Sequence, residues 1–334
     1  MRRLSFILIV IVCLCNEAAQ AQFEGYSWKT IKTTTAYIPR EECDFVSVKS
    51  KFYLLGGRKI ENVNIFDPRK LTWTEGTKPM FESNHFQAVV YKDFVYLCGA
   101  MTGNYPHERP LDHIYIYDAP MNRWIRGDEI PKDRLRGAGG MVTYKDKFYM
   151  VGGITDGHWT GSVAWFDEYD PKTGEWKKLP DAPIARDHFK AAVVGHKLYC
   201  IAGQQSNAME KKSQTIDEVD IYDFKTGAWS VANAKLPTPR GGNSVVVVDD
   251  DILIIGGESS AQKQSHNDVE AYNVTKGEFR KLPPINEGRH AGAALYFNKR
   301  IYTVAGVGNA GGSPLLTSIE FFSNPAIEKI SWWM

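Results

Sequence analysis

Five arginines occupy one repeated position in the chain, each seventeen residues before the second residue of a small-residue doublet. They are Arg40, Arg136, Arg186, Arg240 and Arg289, and the sixth copy of the position is Ser83. A guanidinium group presents a planar set of N–H donors that binds carboxylate, sulfate or phosphate groups. The sequence therefore predicts an anion-binding ring of arginines wherever the repeats converge. In the competing interpretation each arginine pairs with a carboxylate, such as Asp187 or Glu258, and joins neighbouring repeats.

Histidine is the second residue type whose distribution could support chemistry. His85, His188 and His290 begin apolar segments, His107, His113, His158 and His266 lie in long polar segments, and His196 lies in a short turn. Imidazole is the commonest metal ligand, but these positions show no fixed ligand spacing. We therefore interpret the histidines as polar residues that accumulate in long loops, and the sequence predicts no metal and no cofactor.

No catalytic nucleophile can be assigned from a motif. The triplet Arg186-Asp187-His188 is not a triad, and no serine or cysteine lies in an elbow motif. The glycine-rich segment 306–312 does not open a helix after a parallel strand, as a dinucleotide site would. Trp159, beside His158, could form a sugar-stacking platform with Trp165, or both indoles could be packing residues.

The elements that position these residues follow from an internal repeat. An apolar run closed by a doublet of small residues occurs six times, ending at Gly56-Gly57, Gly99-Ala100, Gly152-Gly153, Ala202-Gly203, Gly256-Gly257 and Ala305-Gly306. The intervals between successive second residues are 43, 53, 50, 54 and 49. Self-similarity at this period is typical of repeat architectures.

A second landmark follows five of the six doublets. It is an aromatic–polar pair with another aromatic residue seven positions after the first: Phe66-Asp67 with Trp73, Tyr117-Asp118 with Trp124, Tyr169-Asp170 with Trp176, Tyr222-Asp223 with Trp229, and Tyr272-Asn273 with Phe279. Turn-forming residues separate the two parts, as in "DPKTGEW". Each unit is therefore predicted to contain four short strands.

In order and spacing, these landmarks resemble the repeat of the kelch family across nearly all of the chain after residue 21. The resemblance implies an all-β fold, a six-bladed β-propeller with four-stranded blades. The sixth unit lacks its late tryptophan, but "GYSWKTI" near the N-terminus, with Trp28, resembles the outer strands of the other units. We predict that 22–34 supplies the outer strand of the last blade and closes the ring, which removes an open sheet edge. The tail "KISWWM" could pack over this seam.

The propeller interpretation places the chemistry on one face. In a four-stranded meander, the segment entering each blade shares a face with the loop after each doublet, and these loops are long in five blades. Seven of the eight histidines then lie on this face, and the arginine position lies at the channel mouth. The predicted ligand-binding residues are Arg40, Arg136, Arg186, His188, Arg240, Arg289, His290, His158 and Trp159.

Composition limits the compartment and the partners. The chain has 334 residues with 40 Lys plus Arg against 39 Asp plus Glu, so its net charge gives no reason to expect a nucleic-acid or membrane-surface partner. Residues 1–21 have the three-part pattern of a secretory signal, which predicts a mature propeller at 22–334, secreted or periplasmic. A lipoprotein anchor on Cys13 or Cys15 is the less favoured alternative, and no later segment is expected to span a bilayer. We expect a monomer.

Three functions are compatible with this sequence. The favoured one is a non-catalytic recognition module for an acidic sugar, a glycan or a polypeptide. The chain is also similar to exported bacterial kelch proteins that include the sialic acid mutarotases, and this resemblance implies an acid or base at Glu258; the arginine that follows it in that family is replaced by a stretch with Gln264 and His266. A galactose oxidase-like copper enzyme is disfavoured, because Cys98 and Cys200 lie at strand ends where small residues pack.

Overall fold

A computed structural model describes residues 22–211 and 213–328 of the chain. The predicted signal segment 1–21 and the tail 329–334 lie outside the described residues. The described chain folds into six four-stranded antiparallel sheets, as expected for a six-bladed β-propeller. Within the described residues, no helix has the length and apolar character that crossing a bilayer would require.

The first three blades follow the chain from the inner strand outward. Blade 1 consists of Cys43–Val48, Lys51–Gly56, Asn64–Asp67 and Thr72–Glu75. Blade 2 consists of Ala88–Tyr91, Phe94–Leu97, His113–Asp118 and Arg123–Glu129. Blade 3 consists of Gly140–Tyr144, Lys147–Val151, Phe166–Asp170 and Glu175–Leu179.

The remaining blades repeat this order, except at the closure. Blade 4 consists of Ala191–Val194, Lys197–Cys200, Asp220–Asp223 and Ala228–Val231. Blade 5 consists of Ser244–Val248, Asp251–Ile255, Val269–Asn273 and Glu278–Leu282. Blade 6 consists of Ala293–Phe297, Arg300–Val304, Ile319–Ser323 and the N-terminal Ser27–Thr30.

Small elements decorate the blades. Three two-stranded hairpins extend the loops after the second strands: Met101–Thr102 with Arg109–Pro110, Ile154–Asp156 with Thr160–Ser162, and Gln204–Gln205 with Gln214–Thr215. A 3-10 turn spans Lys132–Arg134 and a one-turn helix spans Pro325–Glu328. The hairpins stand on the loop-rich face identified from the sequence.

The repeated aromatic residues explain why the units stack. In blade 4, Tyr222 on the third strand lies opposite Trp229 on the fourth. Both rings contact Phe166 of blade 3, with centroid distances of 4.7 Å and 5.2 Å. Large rings that fill the wedge between neighbouring sheets remove apolar surface from water, which is the main force holding blades together.

The ring closes through the N-terminal strand, as the sequence predicted. Ser27–Thr30 pairs antiparallel with Ile319–Ser323, and Trp28 lies opposite Phe322. The two rings stack at 5.0 Å, and the Trp28 indole N–H donates to the carbonyl of Pro283 in the neighbouring blade at 2.9 Å. The paired strand covers only part of the predicted segment 22–34.

The second residue of the doublet has a backbone conformation that requires glycine. Its φ lies between 88° and 118° in five blades, at Gly57, Gly153, Gly203, Gly257 and Gly306. We expect Gly257→Ala to lower the free energy of unfolding by about 2–3 kcal/mol, because φ is +117° and a Cβ would lie 2.9 Å from the Gly241 carbonyl oxygen. Urea denaturation measures the loss.

A matched glycine separates backbone strain from steric contact. Gly195 also has positive φ, +61°, but a Cβ at this residue would have no neighbouring atom within 4 Å. Gly195→Ala should therefore cost only about 1 kcal/mol. Equal losses in the two variants would contradict the close approach at Gly257.

Candidate functional site

A closed ring of backbone hydrogen bonds surrounds the channel mouth. The ring consists of six equivalent residues, each one to three residues before the start of an inner strand: Glu42, His85, Ala138, His188, Gly242 and Ala291. The N–H of each donates to the carbonyl of the equivalent residue in the preceding blade, at 2.7–3.2 Å. All six have φ between 52° and 63°. We call this feature the mouth ring, and its six residues line the central channel.

Side chains of the mouth ring bring chemistry to one part of the channel. Glu42, His85 and His188 come from blades 1, 2 and 4, whereas blade 3 contributes only the methyl group of Ala138. His158, from the hairpin of blade 3, contacts both ring histidines, with centroid distances of 5.0 Å to His85 and 4.4 Å to His188. We call Glu42, His85, His158 and His188 the mouth cluster.

The donor atoms of the mouth cluster are close together. One candidate ligand atom from each of the four side chains lies within 4.8 Å of all the others. The Nε2 atoms of His158 and His188 are 3.0 Å apart, and Nε2 of His85 is 3.0 Å from Oε1 of Glu42. Imidazole nitrogens with a carboxylate oxygen are a donor set for transition metals.

An oxygen atom faces the Nδ1 atom of each imidazole. Nδ1 of His85 is 2.6 Å from Oδ1 of Asn84, and Nδ1 of His158 is 3.2 Å from Oε2 of Glu108. Nδ1 of His188 is hydrogen-bonded to Oδ1 of Asp187. Because these oxygens can accept hydrogen bonds, they favour a proton on each Nδ1, and in that tautomer the Nε2 lone pairs face the cluster.

Burial and neighbouring charges give the groups different protonation tendencies. Burial lowers the pKa of His85 to about 4. Desolvation opposes protonation of His188, but the hydrogen bond and charge of Asp187 raise its pKa. Burial, together with the charge of Glu42, raises the pKa of Glu41 to about 7. These shifts come from desolvation and close charges, the usual causes at functional sites.

Arg58 is the cation that contacts the mouth cluster. Its Nη1 lies 2.7 Å from Oε1 of Glu108, and its Nε lies 3.6 Å from Oε1 of Glu41. Its Nη2 lies 3.4 Å from Nε2 of His85. The carboxylates at this part of the mouth are those of Glu41, Glu42, Glu108 and Asp187. The surroundings of the cluster are therefore acidic. The sequence had instead predicted a cationic channel mouth, formed by the ring of arginines.

The structure corrects the prediction that the repeated arginines are available at the mouth. All five are buried: Arg40, Arg136, Arg186, Arg240 and Arg289. Four pair with a carboxylate on the third strand of their own blade: Arg136 with Asp167 at 2.8 Å, Arg186 with Asp220 at 2.9 Å, Arg240 with Glu270 at 2.6 Å and Arg289 with Glu320 at 2.9 Å. Arg40 bonds Oδ1 of Asn64 at the same position.

The arginines also satisfy backbone acceptors within their blades. Each donates to the carbonyl of the first doublet residue, at Gly56, Gly152, Ala202, Gly256 and Ala305. The competing prediction, in which they pair with Asp187 or Glu258 and join blades, was wrong about the partners. Asp187 bonds His188 and Ser206, and Glu258 lies 3.5 Å from Nε2 of His290.

The other predicted site residues are placed separately. His290 is buried, and its Nδ1 is 2.9 Å from Oγ of Ser265. His266 is buried between Oγ of Ser259 at 2.8 Å and Oδ2 of Asp268 at 3.1 Å. Glu258 accepts a hydrogen bond from the N–H of Gly311 at 3.4 Å. Catalytic roles for Glu258 and His266 stay predictions.

Trp159 and Trp165, the two indoles of the possible sugar platform, contact different residues. The ring of Trp159 lies 4.7 Å from the ring of His107. Trp165 instead packs beneath the guanidinium groups of Arg134 and Arg136, at 4.6 Å and 5.6 Å. Trp159 thus remains the candidate contact residue, while Trp165 covers a buried arginine.

The cysteines of the described chain are core residues. Cys43, Cys98 and Cys200 are buried, unpaired thiols. Burial raises the pKa of Cys43 and of Cys98 to about 12, so both are held as neutral thiols. The placement agrees with the packing role expected from their positions near strand ends.

Comparisons with known proteins match more than half of the chain. The kelch-repeats domain of KLHDC2, KLHL20 and DRC7 matches residues 126–306. Kelch-like protein terF of Aspergillus terreus is 24% identical over 346 residues, covering 96% of this chain and 72% of terF. Kelch-like protein 23 of Mus musculus is 25% identical over 283 residues, covering 83% of this chain.

Some of these relatives are much longer than this chain, and the similar solved structure has a low sequence identity. This chain spans 47% of the length of the mouse Kelch-like protein 23. The solved structure of YjhT superposes with a TM-score of 0.72 at 16% identity, covering 86% of this chain and 95% of YjhT. At that identity the likeness shows the fold alone.

Proposed function

The chain belongs to the kelch-repeat β-propeller family, and we propose that it is a recognition module that binds a polypeptide at the loop-rich mouth of its channel. A rigid ring of blades carrying long loops on one face is a common scaffold for binding. The N-terminal sequence adds the proposal that the protein acts after export, where its partner would be a secreted or surface polypeptide.

Exposed apolar side chains on the loops after the doublets carry this proposal. Ile60, Tyr105, Met209 and Leu315 are 41%, 64%, 50% and 40% exposed and come from the loops of four different blades. The loops between second and third strands all emerge on the face of the mouth ring. Aromatic residues and methionine are enriched at protein interfaces.

The alternatives for the ligand receive less support from the geometry. An acidic sugar needs available cations, but the five repeated arginines are buried against carboxylates, an amide oxygen and carbonyls. The resemblance to the sialic acid mutarotases implies an arginine after Glu258, but this chain lacks it, and the side chain of Glu258 contacts His290 and the backbone of Gly311. Polypeptide recognition requires neither feature.

A peptide-display selection against the purified protein tests the proposal. We expect selected peptides to lose at least about tenfold in affinity with the double variant Tyr105→Ser/Met209→Ser, because truncating a hot-spot side chain near the centre of an interface costs about 2 kcal/mol or more. Affinities are measured by calorimetry or biolayer interferometry.

Met121 provides the matched control. It is 66% exposed and lies in the turn between the third and fourth strands of blade 2, on the opposite face. Met121→Ser should leave peptide affinity unchanged. Equal affinity for all three proteins would refute binding at the mouth, and a glycan array with bound sugars but no selectable peptides would refute the polypeptide.

A further inference from the structure

We propose that the mouth cluster, formed by Glu42, His85, His158 and His188, binds one divalent transition-metal ion, with Zn²⁺ as the ion its donors fit. The inference rests on the geometry and the charges of these side chains and is independent of the polypeptide proposed above. It concerns the acidic part of the mouth, where three ring residues and one hairpin residue meet.

The separations within the cluster suit a coordination sphere. Zinc binds imidazole nitrogen at about 2.0–2.1 Å, which places neighbouring ligand atoms roughly 3–3.4 Å apart. The Nε2 atoms of His158 and His188 are 3.0 Å apart, as are Nε2 of His85 and Oε1 of Glu42. The widest separation in the set is 4.8 Å, so the two pairs must close by roughly 1–1.5 Å around the ion.

The space between the Nε2 atoms of His158 and His188 suits a cation. Carboxylate oxygens of Glu108 and Asp187 face Nδ1 of His158 and His188, which favours the tautomer with the proton on Nδ1. In that tautomer the Nε2 atoms of the two histidines direct lone pairs at each other across 3.0 Å. A metal ion between them gives both lone pairs a partner, and Glu42 supplies a negative ligand on the other side.

The residues behind the imidazoles are themselves held in position. Asp187 accepts hydrogen bonds from Ser206, at 3.0 Å from the backbone N–H and 2.6 Å from Oγ. Glu108 pairs with Arg58 at 2.7 Å, and Nδ2 of Asn84 donates to Glu82 at 2.6 Å. Such outer partners fix the orientation of ligating histidines and strengthen metal binding.

The local charge favours a dication. Two carboxyl groups beside the cluster, those of Glu41 and Glu108, contact the guanidinium group of Arg58. Those of Glu42 and Asp187 instead contact the imidazoles of His85 and His188. In the competing view, Arg58 alone balances these charges and the imidazoles share a proton. Because Glu42, His85 and His188 line the channel, an ion bound there would be reached from the channel.

Zinc titration of the chelator-treated protein tests the site. We expect one Zn²⁺ per chain by calorimetry and by elemental analysis after dialysis. His158→Ala and His188→Gln should weaken binding by at least about 100-fold, and Asp187→Asn by about 10–100-fold, the usual effect of removing an outer partner. Saturating Zn²⁺ should raise the melting temperature of the unaltered protein but not of His158→Ala.

A folding check and a control variant accompany the zinc titration. His158 lies on a hairpin outside the four-stranded blades, so His158→Ala should fold, which circular dichroism without metal verifies. His196→Ala, in a turn on the opposite face, should bind zinc as tightly as the unaltered protein. Substoichiometric zinc, or equal affinity in His158→Ala, His188→Gln and the unaltered protein, would overturn the site. The titration uses Zn²⁺ and no peptide, so a failure to bind zinc would not contradict the proposed binding of a polypeptide.

Discussion

Replacing Arg240 by alanine should lower the free energy of unfolding by about 3–5 kcal/mol, the usual loss when one partner of a buried ion pair is removed. The side chains of Arg240 and Glu270 are both fully buried, and Nη1 lies 2.6 Å from Oε2. The guanidinium group also donates to the carbonyls of Gly256, Ile254 and Thr238. Its loss leaves a buried carboxylate and three carbonyls short of donors. Urea denaturation monitored by tryptophan fluorescence measures the change.

Two further variants test the cause of this loss. Lys178→Ala removes the exposed pair with Asp133 and should cost less than about 1 kcal/mol. Arg240→Leu/Glu270→Leu removes both buried charges and should be more stable than Arg240→Ala alone, because no unpaired carboxylate remains. A loss below about 1 kcal/mol for Arg240→Ala would contradict the structural role of the arginines.

The arginine position shows which part of the architecture the sequence could predict and which it could not. Its recurrence is visible because it keeps a fixed distance from each doublet. The direction of the side chain is not visible, because the main acceptors are backbone carbonyls such as that of Gly256. In the five blades with the arginine, both doublet residues have positive φ, so the chain turns out of the second strand at this point and the carbonyls need another donor. Arginine supplies it inside the blade.

The fold itself was predictable because the blades pack through aromatic side chains that recur at a fixed spacing in the sequence. The tyrosine–tryptophan spacing places Tyr222 opposite Trp229, and the same relation recurs in other blades. The missing tryptophan of the last unit pointed to Trp28 as the closing residue, and the pairing of Ser27–Thr30 with Ile319–Ser323 confirms it. Burial of large rings leaves few ways to arrange such units.

The mouth cluster was not predictable as a unit, because its members come from four blades and only three occupy a repeated position. A partial signal was present: the residues two positions after the arginine position read Glu42, His85, Ala138, His188, Gly242 and Ala291. Alignment at that position would have brought Glu42 and His85 together with His188. His158 has no repeated counterpart, since it lies in a hairpin whose length varies between blades.

Removal of the closing indole should be as damaging as loss of the buried ion pair. We expect Trp28→Ala to lower the free energy of unfolding by about 3–5 kcal/mol, the usual range for truncating a buried aromatic residue. Trp28 is 6% exposed, stacks on Phe322 and donates to the carbonyl of Pro283. It therefore joins the N-terminal strand both to its own blade and to blade 5. Urea denaturation gives the stability, and amide hydrogen exchange of Ile319–Ser323 reports opening of the seam.

Conservative and exposed replacements separate ring closure from a general loss of aromatic surface. Trp28→Phe keeps the contact with Phe322 but loses the hydrogen bond to Pro283, so it should cost less than Trp28→Ala. Tyr105→Ala removes an exposed ring and should change stability by less than about 0.5 kcal/mol. If Trp28→Ala left both the stability and the protection of Ile319–Ser323 unchanged, the N-terminal strand would not hold the ring closed. If Trp28 closes the ring, Trp28→Ala should first speed amide exchange in Ile319–Ser323 alone. Global unfolding should then occur at a lower urea concentration than in the unaltered protein.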